Sequence, residues 1–258
     1  MYTKDEIILS LKKSGIDPKG VLLVHSSMRA IGEVDGGADT VIDAFMEYMR
    51  DGLLLFPTHT WSESNNKEGI YDPTTEPSCI GVLTNIFRKR EGVVRSLHPT
   101  HSVAAIGRGA KEFIEGEEKR TTPCSREGVL GRLYDIEAQI LFLGCDLTRN
   151  TYIHGVEEWN DIPKRLTVEY SPLRVRVDGR LIDTPMKRHK SPNGSIHLNY
   201  DKLEAPFLSK GAIKKFVIGD AVCYLGNAVK MADITTELLK KNPDLFIDRE
   251  PVPEKWYR

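Results

Sequence analysis

The segment Asn150-Thr151-Tyr152-Ile153-His154-Gly155-Val156-Glu157-Glu158-Trp159 holds the residues best suited by type and spacing to chemistry. In a helix, His154 and Glu157 stand three apart on one face, where a carboxylate orients an imidazole and stabilises its protonated form. A neutral histidine that titrates near working pH is fit to take a proton from an attacking group. A surface His–Glu pair with no task satisfies the same spacing, so the pair needs support from elsewhere in the chain.

Other polar groups follow or precede apolar runs. His25-Ser26-Ser27 leaves the end of Val21-Leu22-Leu23-Val24 and runs on to Gly32 and Gly36-Gly37. Hydroxyls and backbone N–H groups between a buried strand and a helix start make an anion cradle for phosphate or pyrophosphate, although an ordinary strand-to-helix turn uses the same glycines. No Walker or dinucleotide fingerprint accompanies it, which argues against nucleoside triphosphate or nicotinamide chemistry. Arg95-Ser96-Leu97-His98-Pro99-Thr100-His101-Ser102 sets two histidines close together, yet without an HExxH or carboxylate-flanked pattern. A structural or ligand-lining role is therefore expected there, and no metal site. In Thr122-Pro123-Cys124-Ser125 a thiol nucleophile would need a lowered pKa and a nearby base, so a buried structural cysteine is expected. Trp61, Asp72, Glu157, Glu158, Trp159 and Asp161 offer carboxylates and an aromatic wall to a cationic, ring-shaped ligand, although the acids equally suit a solvated surface.

The elements that must position these groups alternate. Thr3, followed by acidic residues and by Ile7, Ile8 and Leu11 at helical spacing, predicts a capped first helix over 3–14, ended by Gly15. The branched run at 21–24 reads as a buried strand. Val41, Ile42, Phe45 and Met49 give a helix over 38–49 one apolar face, and Leu53-Leu54-Leu55-Phe56-Pro57 is a second strand. Together they make a β–α–β unit, the building block of parallel or mixed sheets covered by helices. Residues 62–79 are polar and read as a long surface loop. A helix near 80–90 and strands at 102–106 and 140–143 continue the alternation. Hairpin-like patterning surrounds Val175, Val177 and Asp178-Gly179, and a closing helix is expected over 232–241. Neither an internal repeat nor a low-complexity tract interrupts the series.

The 258 residues suit one large domain, 1–258. With 36 Lys plus Arg against 37 Asp plus Glu, no segment concentrates one sign as a nucleic-acid arm or polybasic membrane patch would. The opening MYTKDEIILSLKKSG breaks its apolar positions with charges, unlike a signal peptide or spanning helix, so a cytoplasmic protein is expected. Cys79, Cys124, Cys145 and Cys223 lie far apart, as free thiols in a reducing compartment do.

Several stretches in order resemble one family: VLLVHSSMRAIGEVDGGADTVIDAF (21–45), LLFPTHTW (54–61), YDPTTEPSCIGVLTNIFRKREGVVRSLHPTHSVAAIG (71–107) and NTYIHGVEEW (150–159). They are similar to the aminoglycoside N3-acetyltransferases, and together they cover most of the first 165 residues. The resemblance implies a three-layer α/β/α fold with a central mixed, largely parallel sheet. It also implies acetyl-CoA as donor, no metal, and direct transfer within a ternary complex to a small cationic amine, an aminoglycoside or similar polyamine. The NTxxHxxE pattern falls on His154 as base and on Glu157. Segments HSS and GGA, which line the family's cofactor site, fall on His25, Ser26, Ser27, Gly36, Gly37 and Ala38. The HPxxS segment falls on His98, Pro99 and Ser102, also on the cofactor side. Asp72, Glu158, Trp159 and Asp161 are the expected substrate contacts. The chain departs from many relatives at Ser125-Arg126-Glu127-Gly128, and from about 166 onward it matches less sharply. Rival readings are a non-catalytic acyl-CoA or drug-binding protein of the same fold, and a metal- or thiol-dependent hydrolase. A homodimer is left open.

Overall fold

A computed structural model describes residues 1–61, 69–192 and 194–258. Helix α1 (Lys4–Ser14) starts at a capping box in which Thr3 and Glu6 satisfy one another's backbone N–H groups, and Gly15 ends it in the left-handed conformation, as the sequence indicated. Strand β1 (Val21–Ser26), helix α2 (Gly37–Tyr48) and strand β2 (Leu53–Pro57) follow as the expected β–α–β unit, with β1 and β2 parallel. Then come β3 (Ile70–Tyr71), α3 (Val82–Phe87), β4 (Val94–Arg95), β5 (Val103–Gly107), α4 (Ala110–Phe113) and α5 (Val129–Asp135). The remaining elements are β6 (Gln139–Leu143), α6 (Thr151–Trp159), β7 (Arg174–Val177), β8 (Arg180–Asp183), α7 (Glu204–Ser209), β9 (Ile213–Ile218), β10 (Ala221–Asn227) and α8 (Ala228–Lys241).

Among the described residues the main sheet has seven strands in the order β4-β5-β2-β1-β6-β10-β9. Successive residues of its central strands enter two separate cores. Leu23, Leu55, Ile140 and Phe142 pack into one, against α5, α6 and α8, and Leu22, Val24, Leu54, Phe56, Leu141 and Leu143 pack into the other, against α1 and α2. That alternation gives helix, sheet and helix layers, and it explains why β1 and β2 read as unbroken apolar runs, since both faces are covered.

The mixed α/β arrangement stands, but the parallel character of the sheet is narrower than expected. Among the described residues of the main sheet, only β1–β2 and β1–β6 pair in parallel, whereas β2–β5, β4–β5, β6–β10 and β9–β10 are antiparallel. For β9–β10 the reason is local: the strands are joined by the tight turn Gly219-Asp220, with Gly219 at φ 58, and a two-residue hairpin can only reverse the chain. The hairpin β7–β8 turns at Asp178-Gly179, both at positive φ, as its sequence indicated. Of the expected loop 62–79, residues 62–68 lie outside the described residues. Ile70 and Tyr71 are buried in a second, three-stranded sheet ordered β3-β7-β8. Helix α8 starts at Ala228, one turn earlier than its apolar spacing suggested, because Asn227 caps it by accepting from the Lys230 N–H.

Candidate active site

Helix α6 begins directly behind β6, the parallel neighbour of β1, so its first turns lie beside the Ser26-Ser27 end of β1. His154 sits in the middle of α6 with its side chain 16% exposed, on the wall of a cavity of about 750 Å³. Glu157, one turn on, is fully buried, and its Oε2 stands 3.8 Å from His154 Nδ1, too far for a hydrogen bond.

The two are joined through Tyr200, which the 3₁₀ segment Ile196–Leu203 delivers from the C-terminal third. The Tyr200 Oη donates to Glu157 Oε2 at 2.5 Å and lies 2.7 Å from His154 Nδ1. A phenol has one proton. Once it is given to the carboxylate, Oη accepts from Nδ1–H, which fixes the tautomer that leaves the lone pair of His154 on Nε2. Burial, and next the Glu157 carboxylate, push the Tyr200 phenol well above its usual pKa, so the proton stays on oxygen. The second oxygen of Glu157 accepts from Arg165 Nε at 2.5 Å, a nearly dry ion pair that holds the carboxylate in place. Burial first, and then the neighbouring imidazoles His189 and His197, hold the His154 pKa well below its usual range, so the ring is neutral and able to accept a proton.

A second imidazole stacks on the first. His189 lies with its ring 4.2 Å from that of His154 at 22°, and its Nε2 is 2.8 Å from Glu158 Oε1. The same oxygen accepts from the Cys124 N–H at 3.0 Å. Burial, followed by Glu158, pushes the Cys124 thiol well up. A protonated thiol is a poor nucleophile, which counts against a thiol hydrolase and matches the expected structural role.

The cavity is walled on one side by His25, Ser26, Ser27, Met28 and Arg29, and on the other by Arg149, Asn150 and Thr151 at the start of α6. Arg29, Arg149 and Lys190 are its cations, and no carboxylate stands among the described lining residues. Asn150 is 1% exposed, its side chain makes no capping bond to α6, and neither its amide nitrogen nor its amide oxygen has a hydrogen-bond partner among the described residues. A buried amide that the protein leaves unpaired beside a cavity is available to a water or a ligand there.

A sequence model of the family described as aminoglycoside 3-N-acetyltransferase matches residues 23–240. The chain belongs to that family. Aminoglycoside N(3)-acetyltransferase III of Acinetobacter baumannii is 26% identical over 267 residues, covering 94% of this chain and 93% of its own. A mutant of aminoglycoside acetyltransferase AAC(3)-IVa, solved in complex with a gentamicin, superposes with a TM-score of 0.81 at 25% identity over 95% of this chain and 91% of its own. The structure of AAC-IIIb with CoASH shares the fold, with a TM-score of 0.80 at 20% identity over 97% of this chain and 98% of its own. The protein is thus an acyl-transferring enzyme, and no helix among its described residues is long and apolar enough to cross a membrane.

In this member of the family the residues expected from sequence divide. His25, Ser26, Ser27 and His154 come together on the cavity, as does Trp61. Gly36, Gly37 and Ala38 are not among its lining residues, and the glycines are accounted for by the left-handed turn into α2, at φ 73 and 64. His98 is buried behind the wall, its Nδ1 accepting from the Thr100 and His101 N–H groups and its Nε2 reaching the Thr122 carbonyl. The Pro99 carbonyl accepts from Thr60, and Ser102 is bonded to Thr58 and Arg95, so both brace the loop rather than face the cavity.

None of the four expected substrate contacts lines the cavity. Asp72 closes its own turn by accepting from Thr74. Glu158 points inward to His189 and Cys124, Trp159 donates to the Cys124 carbonyl, and Asp161 is exposed past the helix end at φ 52. The causes differ: Asp72 belongs to another segment, and Glu158 lies one turn beyond His154 on the same side of α6 but is taken up by His189 and the Cys124 N–H. Trp159 is turned about 140° from His154, and Asp161 lies past the helix end. Tyr200, Arg165, His189 and Asn150 went unassigned, although Asn150 opens the very segment singled out. The others come from segments without a motif of their own.

Proposed function

We propose that this enzyme moves the acetyl group of acetyl-CoA directly to the amino group of a small molecule, with His154 as general base. The observation that carries the reading is the shared cavity: the free edge of His154, the Ser26-Ser27 turn and the cations Arg29 and Arg149 wall one space of about 750 Å³. That volume suits a cofactor arm together with an acceptor. The hydroxyl and N–H groups of the turn, with Arg29 and Arg149, are the groups to hold the phosphates of CoA.

His154 Nε2 takes the proton from the amine as its nitrogen attacks the thioester carbonyl. The resulting imidazolium is held by its Nδ1–H on Tyr200 Oη, and through that phenol by Glu157. Asn150 Nδ2, unpaired at the cavity wall, is the donor for the oxygen on which negative charge develops. When the carbon–sulfur bond breaks, the imidazolium returns its proton to the departing thiolate, giving amide and CoA thiol with the base restored. No acyl-enzyme forms, and the transfer uses side chains alone. The four unpaired cysteines suit work in the reducing cytoplasm.

For the acceptor, family membership makes an aminoglycoside the leading class. Asp72, Glu158 and Asp161 do not line the cavity, and among its described lining residues Trp61 and the imidazoles His189 and His197 are the groups to meet an amine. The test is a panel of amines, including gentamicin-type aminoglycosides, with acetyl-CoA and free-thiol detection, run on the native enzyme and on His154→Ala. The variant should lose roughly 10²–10⁴-fold in rate while its affinity for CoA is kept. Native turnover in the variant would overturn the assignment of His154. Absence of thiol release with every amine would overturn the acetyl transfer itself.

A further inference from the structure

We infer that His101, Cys124 and His189 form a binding site for a soft divalent cation of the zinc class, next to the base and sharing His189 with the acceptor side of the cavity. The donors come from three separate segments, which is why no spacing pattern announces them. One ring nitrogen from each histidine and the Cys124 Sγ all lie within 4.8 Å of one another. An ion at the centre of an equilateral triangle of that edge would be about 2.8 Å from each donor, against about 2.0–2.3 Å for zinc on nitrogen or sulfur. Inward movements of less than about 1 Å, within the reach of side-chain torsions, complete the contacts.

Hydrogen bonding selects these donors from the other imidazoles. His98 accepts at Nδ1 from two backbone N–H groups and donates at Nε2 to the Thr122 carbonyl, so it has no lone pair left. His101 engages Thr100 Oγ1 through Nδ1 at 2.9 Å and finds no hydrogen-bond partner at Nε2 among the described residues. A second observation points to a cation. The Glu158 side chain is 5% exposed, with one oxygen on His189 Nε2 and the Cys124 N–H, while its other oxygen has no partner among the described residues. A carboxylate bonded through one oxygen to His189 Nε2 and to the Cys124 backbone N–H, with its second oxygen unpaired, is the outer partner that metal-bound histidines usually have. Binding converts the Cys124 thiol to a metal thiolate and releases its proton to solvent. The dication is then balanced by thiolate and Glu158. A small cavity of about 10 Å³, whose lining includes His25, His59, His101 and Cys124, adjoins the cluster and is sized for one water-sized guest.

The ring of His189 stacks on that of His154, so a dication there opposes the positive charge His154 must take up, and loading slows transfer. The test is optical and needs neither acetyl-CoA nor acceptor, so it stands or falls apart from the acetyl-transfer reading. Chelator-treated enzyme is titrated with Co²⁺. One equivalent should produce a thiolate-to-cobalt charge-transfer band in the near ultraviolet and the visible bands of a four-coordinate ion, both removed by Zn²⁺. Cys124→Ser should abolish the near-ultraviolet band, and Glu158→Gln should weaken binding about 10–100-fold, with circular dichroism confirming the fold. Cys79→Ser, which changes another cavity thiol, should leave the band unchanged. No band in the native enzyme, or a band that survives Cys124→Ser, overturns the site. If Cys124→Ser does not fold, unweakened Co²⁺ binding in Glu158→Gln overturns it equally.

Discussion

Replacing Tyr200 by phenylalanine removes one oxygen and tests whether Glu157 reaches His154 through it. In the resting enzyme the lost contact is a neutral hydrogen bond from His154 Nδ1–H, 2.7 Å long, worth about 1 kcal/mol net. In the transition state the ring is an imidazolium, and the same contact becomes charge-assisted, worth about 1.5–3 kcal/mol. Only the difference, about 0.5–2 kcal/mol, appears in the rate, which corresponds to a fall of about 2–30-fold in kcat. The KM for acetyl-CoA should not move, since Tyr200 is not a lining residue of the cavity. The sign of the pH effect also follows. Burial lowers the His154 pKa and the phenol–carboxylate link works against that lowering, so without the link the pKa drops further. The acid limb of kcat/KM should therefore shift to lower pH. Steady-state thiol release between pH 5 and 9 on native and Tyr200→Phe enzyme measures both effects. A kcat within twofold of native with an unmoved acid limb would refute the relay. Glu157→Gln is the poorer experiment, because it also strands the buried Arg165 guanidinium.

Three other outcomes are expected. Asn150→Ala should lower kcat about 10²–10³-fold if its amide meets the developing oxyanion, with little change in melting temperature because its side chain makes no capping bond; thiol-release kinetics and a thermal melt decide together. Glu117 is 3% exposed and burial raises its pKa to about 7, so native stability should fall as pH rises from about 4.5 through 7, by up to about 3 kcal/mol; urea melts across that range should show the slope vanish in Glu117→Gln. His189→Gln, which can still donate to Glu158, should cost less rate than His154→Ala, and the reverse order in parallel assays would transfer the role of base to His189.

The legible parts of the fold were those with local causes. Thr3 and Glu6 announce a helix start because the capping box is built from them alone, and β1 and β2 read as buried because both faces are covered over their whole length. The antiparallel placing of β5 on β2 and of β10 on β6 was not legible, since it is set by which strand each meets, whereas the Gly219-Asp220 turn that reverses β9 into β10 is local. The same division runs through the site. His154 and the Ser26-Ser27 turn sit in local patterns, so their residue types could be weighed in place. Tyr200 and Arg165 act only because the chain returns 46 and 8 residues later to the two ends of the His154–Glu157 pair. Glu158 shows the opposite error, since a carboxylate that looks solvated in the sequence is claimed by His189 from 31 residues away.

All seven histidines of the chain gather around this site, six on the wall of the large cavity and His98 on the small one. Burial explains how so many tolerate one another: it brings the pKa of His25 and of His98 down to about 4 and those of His59, His101 and His154 well below their ordinary value, so these rings stay neutral together. A wall of neutral imidazoles is polar without being charged, which lets a cationic amine approach past Arg29 and Arg149 with less repulsion than imidazolium would impose. Among these five rings, and among the described residues, His154 alone has a carboxylate behind it, through Tyr200, which stabilises its charged form when a proton arrives. The same abundance of free lone pairs that makes a good place for a base also makes a good place for a soft cation. An enzyme that keeps its imidazoles neutral in order to accept protons is, by that design, open to inhibition by metal at His101, Cys124 and His189.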